Sequence, residues 1–384
     1  MLATESQRIW SYTVGRRLPV VFLALSVLFL NGLGLIMLLS IGRAYESGMG
    51  GYFFRQCLWV GIALTAFIGA VSVDYERLRK LSWWIALGGI VLLVLVLVPG
   101  IGLKINGARR WIDIGPMNMQ VSDVAKIGYV MCLAQYFSLV QRDRQTFLKG
   151  FTLPIGIIGL FFGLILLQPD FGTAFLFAAV GGIMLFLGGV NLKYLIPTSV
   201  IGVAGFAYAI ARDPVRSDRI MSFLDVQGNR SEGAYQLWQG IIGFAVGGVD
   251  GVGLGNSRQQ FAFLPEAHTD FIFPIIGEEL GLLFTLSVLA AFLLFFLVTW
   301  HQLQKAPNLY QFLLVSGSLL FITLQAMINM GVSTGCLPTK GMSLPFISYG
   351  GSNLVMTYIL FGIICRCVWK WNGPPELEPR ESRL

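Results

Sequence analysis

Late in the chain, Glu266, His268, Asp270, Glu278 and Glu279 fall in one short stretch, LPEAHTDFIFPIIGEELG. They stand where the only long polar segment of an apolar chain gives way to a new apolar run. Ionisable groups at a membrane boundary are costly and need a partner or a task. Pro274 lacks an amide hydrogen and is best tolerated in the first turn of a helix. The next helix is therefore expected to start near Phe273 or Pro274, with Asp270 just ahead of it. A carboxylate there can serve as a general base, or simply gain from the helix dipole as a cap. Glu266, His268 and Asp270 together are also a donor set for magnesium or manganese. The chain has two histidines, His268 and His301, so a histidine-rich zinc site is excluded.

The cations that could answer an anionic substrate are few. Lys126 lies inside an apolar run, three residues after Asp123. It either pairs with Asp123 one helical turn away or meets an anionic group in a water-filled cavity. Arg109 and Arg110, in GARRWID, suit bidentate phosphate recognition or ordinary headgroup contact. Lys340 stands in LPTKG. Converging on one cavity, these four cations would suit a diphosphate. Gln168, Pro169 and Asp170 read as a turn. SYGGS at 348–352 lacks the pattern of a phosphate loop and reads as close backbone packing at a helix start.

The elements that must position these groups are membrane helices. The chain of 384 residues is 55% hydrophobic and 12% charged, about half the charge of a soluble domain. Its apolar residues come in runs long enough to cross a hydrocarbon core of about 30 Å. This is an all-α polytopic membrane protein, with ten expected spans at 19–41, 53–73, 82–101, 121–140, 151–168, 171–189, 193–211, 271–299, 309–332 and 350–371. The loops expected on one side are 102–120, 168–172, 333–349 and a long one, 212–269, between spans 7 and 8. Tyr235, Leu237, Trp238, Ile241, Ile242 and Phe244 give the long loop an apolar middle, expected as an interfacial or re-entrant helix.

Charge orients the bundle. With both termini cytoplasmic, inner segments hold fifteen Lys and Arg and the short outer loops only Arg43, Arg55, Lys104, Arg109, Arg110 and Lys340. The net charge of +7 thus belongs to membrane topology and not to nucleic acid. Five scattered cysteines make no disulfide framework. Residues 1–371 read as a single transmembrane domain and 372–384 as a disordered cytoplasmic tail.

Five segments carry a resemblance: GARRWIDIGP at 107–116, QPDFGT at 168–173, LGNSRQQFAFLPEAHTDFIF at 254–273, IGEELG at 276–281 and LPTKGMSLPFISYGGSN at 337–353. In this order they resemble the SEDS family of shape, elongation, division and sporulation proteins, and LPTKG is most like its FtsW branch. The resemblance implies a peptidoglycan glycosyltransferase that polymerises lipid II at the outer face of the cytoplasmic membrane. It implies Asp270 as the catalytic carboxylate and carries Arg110, Lys126 and Lys340 over as functional residues. It also implies a class B penicillin-binding protein and other division proteins as partners, at the septum. The chain departs from the family pattern at Val121, Ser122 and Asp123, where a Pro-Ser-Glu run is common, and at Pro274, more often alanine. The competing expectations are a lipid II flippase, an elongation polymerase of the RodA kind, and a non-catalytic scaffold.

Overall fold

The computed structural model describes residues 2–44, 51–105, 107–115, 118–231, 234–262, 264 and 267–373. Glu266 and tail residues 374–384 lie outside the described residues.

Each of the ten expected spans falls on a helix. The first three are covered by α1 (Leu2–Ala44), by α2 (Gly51–Ser72), and by a short α3 (Tyr75–Leu78) leading into α4 (Ser82–Leu95). The next four are covered by α5 (Val121–Leu139), α6 (Leu153–Leu166), α7 (Phe171–Leu187) and α8 (Leu192–Arg212). The long loop that follows folds into α9 (Pro214–Leu224), α10 (Tyr235–Gly247) and a short α11 (Arg258–Ala262). The last three are α12 (Ile272–Leu303), α13 (Leu309–Ser333) and α14 (Gly351–Trp371). Among the described residues, eight helical stretches are long and apolar enough to cross a membrane. The other two expected spans are α7, at 17 residues, and α5, which carries Asp123 and Lys126. Almost all of α5 is buried, and a helix wrapped in protein needs no continuous apolar face.

One expectation changes. The 102–120 loop is a small antiparallel sheet of order β1-β2-β3: β1 (Gly102–Ile105), β2 (Ala108–Asp113) and β3 (Asn118–Gln120). Leu103 pairs with Trp111, and Trp111 with Gln120. The sheet satisfies backbone groups that a bare loop over the bundle end would leave to water.

Caps define the helix starts where the sequence supplies them. Asp170 accepts from the Thr173 amide, Asn191 from Lys193, Asp213 from Arg216 and Asn308 from Gln311. In the core, α13 and α14 are mostly buried, whereas α8 faces outward along nearly all its length. In lipid no hydrophobic drive joins one helix to another, so association rests on close packing. At Gly128 of α5 a Cβ would come within 2.9 Å of the Ala86 Cα, so glycine lets α5 and α4 touch backbone to backbone. Below Lys126, the buried rings of Tyr129, Phe161, Phe177 and Phe321 pack with centroids 5.0–6.2 Å apart, and the Tyr129 hydroxyl donates to the Phe177 carbonyl at 2.8 Å.

A polar network ties the other end of the bundle. Glu76 accepts from the Asn308 and Gln311 amides at 2.8 and 2.7 Å. Arg79 donates to Gln135 at 2.7 Å and Ser138 at 3.0 Å. The Trp371 indole donates to Gln311 at 2.5 Å. Cys365 and Cys367 are buried in α14 near this end.

Candidate active site

The segments assigned to the outer side meet at the opposite end of the bundle and enclose a cavity of about 1030 Å³. Arg110, Lys126, Asp270 and Lys340 all line it, with Asp123, Asp170, Asp218 and Arg219.

Asp270 sits in the turn just before α12, whose N-cap is Phe271. Its backbone is held from the α13–α14 side. The Asn329 amide donates to the Asp270 carbonyl at 2.8 Å and to the Met342 carbonyl at 2.6 Å. The Ser348 hydroxyl donates to the Thr269 carbonyl at 2.6 Å, and the Tyr349 amide to the His268 carbonyl at 2.9 Å. Gln56 fastens that side in turn, donating to the Ser348 carbonyl at 3.2 Å. The carboxylate itself lies against the backbone of Gly341, where a Cβ would stand 2.6 Å from Oδ2. SYGGS is therefore a backbone clamp on the turn that bears Asp270.

The neighbour of Gly341, Lys340, runs its side chain across Gly172, where any Cβ would collide with it. Its Nζ lies 3.8 Å from Asp170 Oδ1, and Arg110 Nη1 lies 3.7 Å from Asp170 Oδ2. Arg110 also donates to the Pro169 carbonyl at 2.6 Å and the Gln168 carbonyl at 3.3 Å. Asp170 is buried, and its close hydrogen bonds go to Thr173, 2.8 Å to the hydroxyl. The turn-forming Gln168-Pro169-Asp170 thus has a second role. It gathers two cations around one carboxylate at distances too long to saturate them. Burial pulls the Lys340 ammonium below its ordinary pKa; Asp170 opposes this, while Arg110, Arg219 and Arg216 add to it.

Lys126 is in a different state. Its Nζ donates to Asp123 at 2.8 Å, Gln325 at 2.9 Å and Asn353 at 3.4 Å, and Ser352 donates to the other oxygen of Asp123 at 3.1 Å. An ammonium has three protons to give, and all three are committed. Arg109 does not line the cavity; its guanidinium donates to the Leu97 carbonyl at the end of α4, 3.3 Å away. The His268 ring packs 4.5 Å from Tyr52 and 5.8 Å from Tyr349, centroid to centroid. Among the described residues, no group of three His, Cys, Asp or Glu could hold a metal. The donor set suits only a cation that takes most of its ligands from substrate and water, as magnesium commonly does at phosphates.

Sequence reasoning read Asp170 only as part of a turn and did not single out Arg219, Gln325, Asn329 or Asn353. Their roles depend on what lies opposite them in space. Asp170 alone carried a signal, being a carboxylate between two apolar runs.

Comparison with known proteins bears on the chain as a whole. The family model FTSW_RODA_SPOVE, described as cell cycle protein, matches residues 21–370. A probable peptidoglycan glycosyltransferase FtsW of Coxiella burnetii is 37% identical over 368 residues, 94% of this chain and 97% of that protein. Another of the same name, from Marinobacter nauticus, is 40% identical over 91% of this chain and 88% of that one. The stage V sporulation protein E of Bacillus subtilis is 35% identical over 92% and 97%. Among solved structures, one from a study titled "Structural coordination of polymerization and crosslinking by a peptidoglycan synthase complex" superposes with a TM-score of 0.75 at 25% identity, covering 91% of this chain and 97% of that one. The Thermus thermophilus rod shape determining protein RodA shares the fold with a TM-score of 0.67 at 24% identity, over 90% and 95%.

Proposed function

Since the chain belongs to the FtsW/RodA/SpoVE family, we propose that it is a multi-pass membrane glycosyltransferase that polymerises lipid II into glycan strands, with Asp270 as its general base. The observation that carries this is the placement of one backbone-clamped carboxylate and the cations Arg110 and Lys340 along a single polar cavity.

The reaction is an inverting glycosyl transfer. The donor is a growing glycan whose reducing-end sugar is joined through diphosphate to undecaprenol; the acceptor is lipid II. The acceptor 4-hydroxyl attacks the donor anomeric carbon while Asp270 takes its proton. The bond from that carbon to the diphosphate oxygen breaks, and its electron pair leaves with the undecaprenyl diphosphate. Arg110 and Lys340, with Arg219 beside them, answer the charge that develops on the leaving group. Arg110 and Lys340 are already oriented by Asp170, so little reorganisation is required at the moment of reaction. A magnesium or manganese ion, taking most of its ligands from substrate and water with Asp270 as its carboxylate ligand, would supply further charge neutralisation.

The chain works at the outer face of the cytoplasmic membrane with both termini inside. It acts in septal wall synthesis with other division proteins and a class B penicillin-binding protein, which crosslinks the product. The FtsW names of the relatives support the septal setting, and the synthase complex among the structural neighbours supports the partner.

The test is glycan formation from purified lipid II by the protein with its cognate transpeptidase, for wild type and Asp270→Asn, with divalent cation and with chelator. Long strands from wild type alone are expected, since a general base contributes about 10²–10⁴-fold. Equal polymer from both proteins removes Asp270 from the role, and no polymer from a folded, partnered wild type moves the reading to transport or scaffolding. Polymer undiminished by chelator removes the cation.

A further inference from the structure

The outer end of α12 is a helical piece of its own. At Gly281 the backbone leaves the helical region, with φ 76° and ψ −170°, a conformation that favours glycine. Residues 272–280 are therefore not held in line by 282–303. Inside a membrane protein the backbone groups freed by such a break must find other partners. They find them in the segment that follows α10. The amides of Val252 and Gly253 donate to the carbonyls of Glu278 and Glu279 at 2.9 and 3.0 Å, and the Leu282 amide donates to the Gly248 carbonyl at 3.0 Å.

Two carboxylates complete the join. Glu278 accepts from the Ser257 hydroxyl and, at 2.9 Å, from the Arg258 amide. Glu279 accepts from the Ser40 hydroxyl at 2.7 Å, the Gly255 amide at 3.1 Å and the Gln260 side-chain amide at 3.0 Å. Both are buried, and among the described residues neither forms an ion pair with a basic side chain. Neither lines the cavity, and the glycosyl transfer makes no use of them. Burying two adjacent carboxylates without a cation is costly, so their hydrogen bonds must serve the fold at this point.

We propose that Glu278 and Glu279 are positioning residues: they strap 248–260 to the outer piece of α12 and so hold Asp270 at the other end of that piece. This rests on Asp270 as the base. A helical piece clamped at its Asp270 end and strapped at its Glu279 end has no freedom to tilt. Released at the strap, it pivots about the clamp. A misplacement of 1 Å at a reacting group costs about 10²-fold in rate, and it does so in the chemical step.

The experiment compares Glu279→Ala, Glu279→Gln and Gly281→Ala with wild type in lipid bilayer discs. It reads kcat and KM for lipid II and the hydrogen exchange of amides 268–276. Glutamine keeps an acceptor for Gly255 and Gln260, and its amide can donate to Ser40. Glu279→Ala is expected to lose about 10²-fold in kcat at near-constant KM and to exchange faster at 268–276, while glutamine restores most of both. Gly281→Ala should behave as Glu279→Ala, because its Cβ meets the Val249 carbonyl. A rise in KM at constant kcat, equal losses for alanine and glutamine, or unchanged exchange at 268–276 overturns the proposal. Should Glu279→Ala fail to fold, Ser40→Ala removes one hydroxyl and no charge, and must move kcat and exchange in the same direction. Asp270→Asn runs alongside. If it polymerises normally, the base reading fails, and the exchange measurement alone decides the strap.

Discussion

A carboxylate serves as a base only while its position is held, and at Asp270, the proposed base, the holding is done by backbone and by the absence of a side chain. Gly341 leaves the space that the Asp270 carboxylate occupies. Gly341→Ala places a methyl group 2.6 Å from Oδ2 and should lower kcat with little change in thermal stability; a variant of wild-type turnover would show that the carboxylate tolerates another position. Lys340 makes a prediction with a sign. Its ammonium is weakened by burial and by three arginines, so it deprotonates at a lower pH than an ordinary lysine, near 10.4. Activity that depends on its charge is complete below that pKa and is lost as pH rises through it. The alkaline limb of kcat/KM should therefore lie below the usual lysine range. Lys340→Arg should move it upward, since a guanidinium stays charged; an unmoved limb assigns that titration elsewhere. Asp270, Arg110, Lys126 and Lys340 were legible because a charge in an apolar chain is conspicuous. Lys126, saturated by Asp123, Gln325 and Asn353, shows where that legibility ends: charge marks a position as important without saying whether it faces substrate or protein.

The elements were legible to the degree that they follow hydropathy. Helices appear where the apolar runs are, and the apolar middle of the long loop became α10, packed on α12. The sheet at 102–120 was missed, although Asn106-Gly107 between Ile105 and Ala108 is the two-residue hairpin signal. Knowing the strand would also have separated Arg109 from Arg110, since alternate residues face opposite ways. The break at Gly281 was hidden, because a glycine inside an apolar run reads as ordinary in a membrane helix. The cluster around Lys126 binds α5, α13 and α14 together, and this makes it a matter of element packing. Removing one partner of a buried ion pair costs about 3–5 kcal/mol. Lys126→Ala should therefore lower the unfolding temperature markedly, and Asp123→Ala/Lys126→Ala should recover part of the loss. Thermal unfolding in detergent checks this, and a stable Lys126→Ala protein with impaired lipid II binding would make Lys126 a substrate ligand instead.

At the scale of the whole molecule the two ends differ in kind. One end is a polar network whose groups are spent on one another, from Glu76 through Gln311 to Trp371. The other holds the cavity. Between them stands the packed layer of Tyr129, Phe161, Phe177 and Phe321. None of these four rings lines the cavity, which lies at the end that carries Asp270, Arg110 and Lys340. In the proposed reaction the spent undecaprenyl carrier and the next lipid II occupy this cavity in turn, so turnover waits on clearance. Added undecaprenyl diphosphate should then inhibit competitively against lipid II, whereas inhibition that excess lipid II cannot relieve would reveal a separate product site. With packed rings on its far side, the cavity of the proposed reaction also gives the strand a direction: the growing glycan leaves outward, away from the membrane that keeps its anchored end.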